Sequence, residues 1–252
     1  MTAPTLTLPP VALYIHIPWC LKKCPYCDFN SHANDRTLPE AVYIEKLIAD
    51  LEQDLPYLQS RKFTSIFIGG GTPSLFSPAG IEKLLTAVEN LAGFASDIEI
   101  TLEANPGTFE LEKFSAFRSA GINRLSIGIQ SFQQTFLGKL GRAHSDKEAL
   151  TAAENALSAG FENFNLDLMF GLPGQSIEDA LKDLEMAIAC NPPHLSWYQL
   201  TIEPNTLFYN KPPSLPNDDL VSGMQEAGID LLSSHGLDRY EVSAFSGPDQ
   251  ES

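Results

Sequence analysis

Apolar residues crowd together, or alternate with polar ones, at 13–18, 65–69, 98–104, 124–130, 163–168 and 195–201, and each run has the length and composition of a β-strand. Between these runs the apolar spacing changes to that of a helix. Ile81, Leu84, Leu85, Val88 and Leu91 share one helical face, as do Ile177, Leu181, Leu184 and Ile188. Ser176 and Asp179 stand at the head of the second run with the spacing of a capping box, in which side-chain oxygens satisfy the first free amides of a helix.

Strands alternating with helices predict a parallel sheet, because parallel strands need a long connection that is usually a helix and crosses over right-handedly. Six such units predict an α/β fold, a partial (β/α)6 TIM-like barrel occupying residues 13–203 after an N-terminal extension of residues 1–12. Barrels of this kind build their sites from the C-terminal ends of the strands. Those ends carry Cys20, the string Gly69-Gly70-Gly71-Thr72-Pro73, Glu103-Ala104-Asn105-Pro106, Gln130-Ser131-Phe132, Asp167-Leu168-Met169 and Gln199-Leu200-Thr201. A purely structural role does not account for Glu103, Gln130 and Asp167 at equivalent points of three units. From residue 204 to 252 the texture changes. Pro204, Pro212, Pro213 and Pro216 predict a linker without regular structure, followed by a helix over 218–235, a short strand over 240–245 and an unstructured tail.

Charge narrows the partners. The 252 residues hold 16 Lys and Arg against 32 Asp and Glu, a formal charge of −16 that repels polyphosphates, so nucleic acid is not expected as a main partner. Residues 201–252 alone have nine acids against Lys211 and Arg239. With 43% apolar residues, no apolar run long enough to span a bilayer and no secretory pattern at the N-terminus, the expectation is a globular cytoplasmic protein.

Three of the four cysteines fall at Cys20, Cys24 and Cys27, a C-x3-C-x2-C loop directly after the first strand. Three thiolates on one short loop suit a cluster of four irons and four sulfides, with one iron left open for a substrate or cofactor. A structural zinc ion, with His16 or His32 as fourth ligand, is the alternative, and it would make the chain a zinc-stabilised binding module. Cys190 stands apart near the end of a helix and reads as a small buried hydrophobe.

The cysteine loop, with Tyr26 before its last cysteine, resembles that of the radical S-adenosylmethionine (SAM) superfamily. Together with Tyr14-Ile15-His16-Ile17-Pro18-Trp19-Cys20, Cys27-Asp28-Phe29-Asn30, the glycine string and Glu103-Ala104-Asn105-Pro106, it is similar to the oxygen-independent coproporphyrinogen III oxidase family, closest to its heme-chaperone branch. The similarity runs from about residue 13 to 245. It implies a [4Fe-4S] cluster on Cys20, Cys24 and Cys27, with SAM on the free iron and reduction cleaving SAM to a deoxyadenosyl radical. In the oxidase a further cysteine stands two residues after the third, where this sequence has Phe29, which favours the chaperone branch. The family also continues into a C-terminal region, with a His-Asn-x-x-Tyr-Trp motif in the chaperone, that this sequence lacks, so the chain reads as truncated.

Glu103 and Tyr14 match SAM-contacting positions, and Tyr26, Gly70, Gly71, Thr72, Gln130, Arg142, Asp167 and Thr201 match positions near a SAM, a second SAM or the substrate. Glycines at 69–71 independently allow backbone amides to approach a ligand. Arg142 suits a carboxylate, and Asp167 is one candidate partner for it. Tyr14 and His16 share a strand face, where His16 is either a catalytic candidate or a hydrogen-bonded interior residue. The chaperone reading implies heme as cargo, haemoproteins such as respiratory enzymes as recipients, and peripheral association with membrane proteins. The oxidase reading implies oxidative decarboxylation of coproporphyrinogen III. His16, His32, His144, His194 and His235 are all candidate heme ligands, and their spacing selects none.

Overall fold

A computed structural model describes residues 8–34, 37–107 and 110–248. In chain order the elements are β1 (Val11–Ile17), β2 (Trp19–Cys20), β3 (His32–Ala33), α1 (Glu40–Leu58), β4 (Phe63–Gly70), α2 (Pro78–Ala92), β5 (Phe94–Ala104) and α3 (Glu110–Ser119). Then come β6 (Arg124–Gln130), α4 (Gln134–Lys139), α5 (Asp146–Ser158), β7 (Asn163–Phe170), α6 (Ile177–Ala189), β8 (His194–Gln199), α7 (Leu207–Asn210), α8 (Asp218–Ser234), β9 (Asp238–Arg239) and β10 (Ala244–Ser246).

Local chemistry sets the helix starts. The capping box at the head of α6 forms as the sequence predicts, with the Ser176 hydroxyl accepting from the Asp179 amide and the Asp179 carboxylate accepting from the Ser176 amide, both at 3.1 Å. Ser145 and Glu148 make a second box at the head of α5. Pro78, in the first turn of α2, follows the cap Ser77, where a missing amide costs nothing.

Strands β1, β4, β5, β6, β7 and β8 lie side by side in that order and run parallel, with β10 and then β9 added antiparallel beyond β8. β1 and β9 are the two ends of the sheet. The sheet therefore curls without closing, and the α/β architecture is an incomplete TIM-like barrel of six parallel strands. Most strands run longer than the apolar runs indicate: β5 begins at Phe94 and β7 reaches Phe170. β8 ends at Gln199, and Thr201 falls in the following loop.

Three expectations for the C-terminal part need correcting. The proline-rich segment holds one short helix, α7, whose cap Thr206 accepts from the Tyr209 amide. The expected strand at 240–245 is displaced: Glu241 to Ser243 form a bend, and Ala244–Ser246 pairs with Ser196, Leu195 and His194. Ser246 therefore belongs to the sheet rather than to a tail, and residues 249–252 lie outside the described residues.

The core is the layer between sheet and helices. Leu13, Ile15 and Ile17 of β1, Leu125, Ile127 and Ile129 of β6, and Phe164, Leu166 and Leu168 of β7 pack there against α-helical residues such as Leu84, Leu85 and Leu184. Most alternate residues of β6 and β7 are polar, and Arg124, Ser126, Gln130, Asn165 and Asp167 among them border open space in the lumen. α8 closes over β8, where Gly228 meets the indole of Trp197, itself buried and packed on Phe170 with centroids 4.3 Å apart. A Cβ at Gly228 would come within 2.0 Å of that ring. Alanine's helix propensity favours the exchange by about 1 kcal/mol, but overpacking costs about 1–3 kcal/mol. G228A should therefore unfold at lower urea concentration than the parent chain with an unchanged slope.

Candidate functional site

The cysteine loop is held at both ends. Trp19 and Cys20 pair with His32 and Ala33, so residues 21–31 form a closed excursion from the first strand. Inside it the Cys27 amide donates to the Cys24 carbonyl at 3.2 Å, and Lys23 Nζ donates to the carbonyls of Phe29 and Ser31, each at 3.0 Å. The Phe208 amide in α7 donates to the Pro25 carbonyl at 2.9 Å, which ties the loop to the chain after the barrel. Cys20, Cys24 and Cys27 are free, half-buried thiols facing one cavity.

Their chemistry fits a cluster better than a single ion. Among the described residues no group of three or more His, Cys, Asp or Glu is gathered closely enough to hold one metal ion. His16 has both ring nitrogens engaged, Nδ1 with the Tyr14 hydroxyl at 2.9 Å and Nε2 with the Asn30 carbonyl at 2.8 Å, and His32 is exposed. A tetrahedral zinc ion thus lacks its fourth donor, whereas the thiolates of an iron–sulfur cluster bind separate irons and need not converge.

The cavity measures about 610 Å³ and occupies the mouth and upper lumen of the barrel. Cys20, Cys24, Tyr26, Cys27, Gly70, Gly71, Thr72, Glu103, Gln130, Arg142, Asp167 and Thr201 all line it. Tyr14 and His16 do not. Tyr14 is 56% exposed and stacks on Phe67, which does line the cavity, while the His16 ring rests on Gly70. Both ring nitrogens of His16, which is half-buried, are thus engaged with partners in the protein. Phe29, 58% exposed, stands at the same mouth.

The glycine string also has a packing reason within the protein. A Cβ on Gly70, whose φ is +112°, would lie 2.5 Å from the His16 ring, and one on Gly71 would lie 2.6 Å from the Trp19 carbonyl oxygen. Their amides are already used within the protein: Gly70 donates to Glu103 Oε2 at 2.9 Å, Gly71 to the Ile17 carbonyl at 2.8 Å and Thr72 to the Trp19 carbonyl at 2.7 Å. The string lets β4 pass close under the cysteine loop and holds the Glu103 carboxylate in place. Burial pushes the Glu103 carboxyl up to about 7, against the Gly70 amide that stabilises its charge and with the help of Asp167.

Arg142 is not a surface ion. Its Nη2 donates to Asn105 Oδ1 at 2.6 Å and to the Gly128 carbonyl at 2.7 Å, and Nη1 lies 3.7 Å from Cys24 Sγ. Burial works against its charge, but Tyr26 and Cys24 outweigh burial and hold its pKa above the ordinary value. Asn105 passes the connection on by donating to the Thr72 hydroxyl at 2.9 Å. The suggested pairing of Arg142 with Asp167 does not occur. Asp167 instead accepts from Ser126 at 2.9 Å and Asn165 at 2.8 Å, and burial raises its pKa. Gln130 ends β6 with a left-handed φ of +67° and accepts from the Tyr198 hydroxyl at 2.7 Å.

Sequence reasoning overlooked Asn105 as a link, Tyr198, and the lumenal ladder of Arg124, Ser126, Asn165 and Ser196. The signal was present as a period of two: Arg124, Ser126, Gly128 and Gln130 alternate with Leu125, Ile127 and Ile129, while Asn165 and Asp167 alternate with Leu166 and Leu168. Of the histidines considered as heme ligands, His144 and His194 are buried and neither lines the cavity. Cys190 caps the end of α6, half-buried, with its thiol directed at the Met186 carbonyl.

A family model for the radical SAM superfamily matches residues 14–187. The heme chaperone HemW of Escherichia coli is 54% identical over 96% of this chain and 64% of its own length; that of Haemophilus influenzae is 55% identical over 95% of this chain and 63% of its own. This chain thus spans just under two thirds of the length of those relatives. Among solved structures, the coproporphyrinogen III oxidase HemN from Escherichia coli, a radical SAM enzyme, superposes with a TM-score of 0.87 at 27% identity, over 95% of this chain and 56% of that one.

The raised Glu103 pKa has a signed consequence for stability. Between its ordinary value of 4.5 and about 7 the folded chain holds a proton there that the unfolded chain has lost, so this group's contribution falls as pH rises through that window. E103Q keeps an acceptor for the Gly70 amide and lacks the titration. Relative to the parent, E103Q should gain on the order of 1–3 kcal/mol between pH 4.5 and 7, at about 1.4 kcal/mol per unit of displacement, in urea unfolding at the two pH values.

Proposed function

We propose, starting from the fact that this chain belongs to the radical SAM superfamily, that it carries the cluster-binding barrel of a heme chaperone, which binds heme and passes it to haemoproteins. The observation that carries this reading is the level of identity: 54–55% to proteins named heme chaperone HemW, against 27% to the oxidase HemN. Phe29 supports it, standing where the sequence resemblance expects a further cysteine in the oxidase. Respiratory enzymes are the class of recipient this reading names. It places the protein in the cytoplasm, associating peripherally with membrane proteins; among the described residues no helix is long and apolar enough to cross a membrane.

In this reading Cys20, Cys24 and Cys27 would hold a [4Fe-4S] cluster, with SAM bound beside it in the cavity. The cluster, when bound and reduced, supplies one electron to SAM. Glu103 accepts hydrogen bonds from ribose hydroxyls, with Tyr14 nearby, and Tyr26 packs behind the cysteine loop. Arg142 holds a carboxylate or steadies the charge of the thiolates; Gln130, Asp167, Thr201 and the chain at Gly70, Gly71 and Thr72 shape the rest of the lumen. Heme is cargo rather than a resident group.

The close superposition on the oxidase favours a second reading, in which the same barrel oxidatively decarboxylates coproporphyrinogen III. One anaerobic experiment separates the two. Reconstituted protein should contain about four irons and four sulfides per chain, and exchange of Cys20, Cys24 and Cys27 for alanine should abolish both. Given reductant, SAM and coproporphyrinogen III, the cluster-loaded chain should form no protoporphyrinogen by chromatography, and it should bind heme in a spectroscopic titration. Protoporphyrinogen formed in step with deoxyadenosine would establish the oxidase reading instead.

A further inference from the structure

Asp183 lies in α6, is 0% exposed and does not line the cavity. Its carboxylate nevertheless grips the turn that leaves the lumen at the top of β6. Oδ2 accepts from the Ser131 hydroxyl at 2.8 Å and Oδ1 from the Phe132 amide at 2.8 Å. The Ser131 hydroxyl oxygen in turn accepts from the Gln133 amide at 3.1 Å, and Gln133 Nε2 donates to the Asp179 carbonyl one turn earlier on the same helix. Directly before this clamp sits Gln130, whose φ of +67° is a conformation that a residue with a Cβ adopts at a cost. The strand register slips between Ile127 and Gln130, so the ladder to β7 does not by itself fix where Gln130 points.

A buried carboxylate with two donors and a strained neighbour is an expensive arrangement to keep for packing alone. We propose that Asp183 is a positioning residue: by gripping Ser131 and Phe132 from α6, it holds Gln130 left-handed and aims its amide into the upper lumen, where it meets Tyr198 and the bound cofactor. This rests on the reading of Gln130 as a SAM contact. It predicts that a residue outside the cavity controls SAM affinity through Gln130 and through no other lumenal group.

The test uses the cluster-reconstituted full chain, with SAM affinity by equilibrium dialysis and backbone amide exchange over 130–133. D183A should speed exchange at Phe132 and Gln133 while leaving exchange in β1, β4 and β5 unchanged, and should weaken SAM about tenfold, the scale of one lost hydrogen bond to a ligand. Q130A should weaken SAM similarly without changing exchange at Phe132. The double variant should bind no more than about twofold more weakly than either single one, since coupled residues are not additive. D183N should restore affinity to within about threefold of the parent, because its carbonyl oxygen still accepts from Phe132 and its amide can donate to the Ser131 hydroxyl oxygen. If D183A does not fold, S131A removes one of the two grips while the Phe132 amide still donates to the carboxylate, and the same exchange and affinity changes are expected at smaller size. Unchanged exchange at 132–133, or affinity losses that multiply in full in the double variant, would overturn the proposal. If Q130A alone leaves SAM affinity unaltered, the reading of Gln130 as a ligand contact falls, while the exchange result still decides for or against the clamp.

Discussion

Each parallel strand of this protein can be apolar on one face only, and that constraint arranges everything else. Most leucines, isoleucines and phenylalanines of β1 and β4 to β8 are taken up by the layer beneath the helices, with Phe67 an exception that borders the cavity. The opposite faces then have no apolar partner to fill the lumen, and they are furnished instead with Thr101, Ser126, Asn165, Asp167 and Ser196. Such a lumen stays open only if its polar groups satisfy one another or a ligand. Here Ser126, Asn165, Asp167 and Ser196 form a hydrogen-bonded ladder between β6, β7 and β8 that itself borders the cavity.

The same constraint explains the electrostatics. In a chain of net charge −16, the acids that matter to the site are not the solvated ones but Glu103 and Asp167, which the lumen keeps from water. Burial raises both pKa values, and the protein answers with donors rather than with a salt bridge: an amide for Glu103, a hydroxyl and a side-chain amide for Asp167. Arg142 is spent elsewhere, on Asn105, Gly128 and Cys24, so that one guanidinium links the cysteine loop to two strands.

Much of this was legible in the sequence. The strand and helix periods located all six parallel strands, the cysteine spacing pointed to the chemistry, and the polar strand ends indicated the mouth of the barrel. What was not legible depended on distance in three dimensions. Nothing in the sequence around Arg142 says that its fork reaches Asn105, 37 residues earlier, rather than Asp167. The glycines at 70 and 71 read as room for a ligand, and the fold adds a second demand, room for His16 and Trp19, because only the folded chain brings β4 close under the cysteine loop. The short strand after α8 was misplaced because Tyr240 and Val242 have strand-forming side chains, whereas the pairing with β8 selects Ala244 to Ser246.

The sheet that ends at β1 and β9 rather than joining on itself has a mechanical consequence. A closed barrel has a fixed girth, since widening it means breaking a ladder of backbone hydrogen bonds. Here the perimeter is interrupted, so the span between β1 and the far strands can breathe by small changes of twist, with every existing strand pair intact. Such changes would fall on the open edge and leave the cysteine loop, tied to β3 and to the Phe208 amide, in its place.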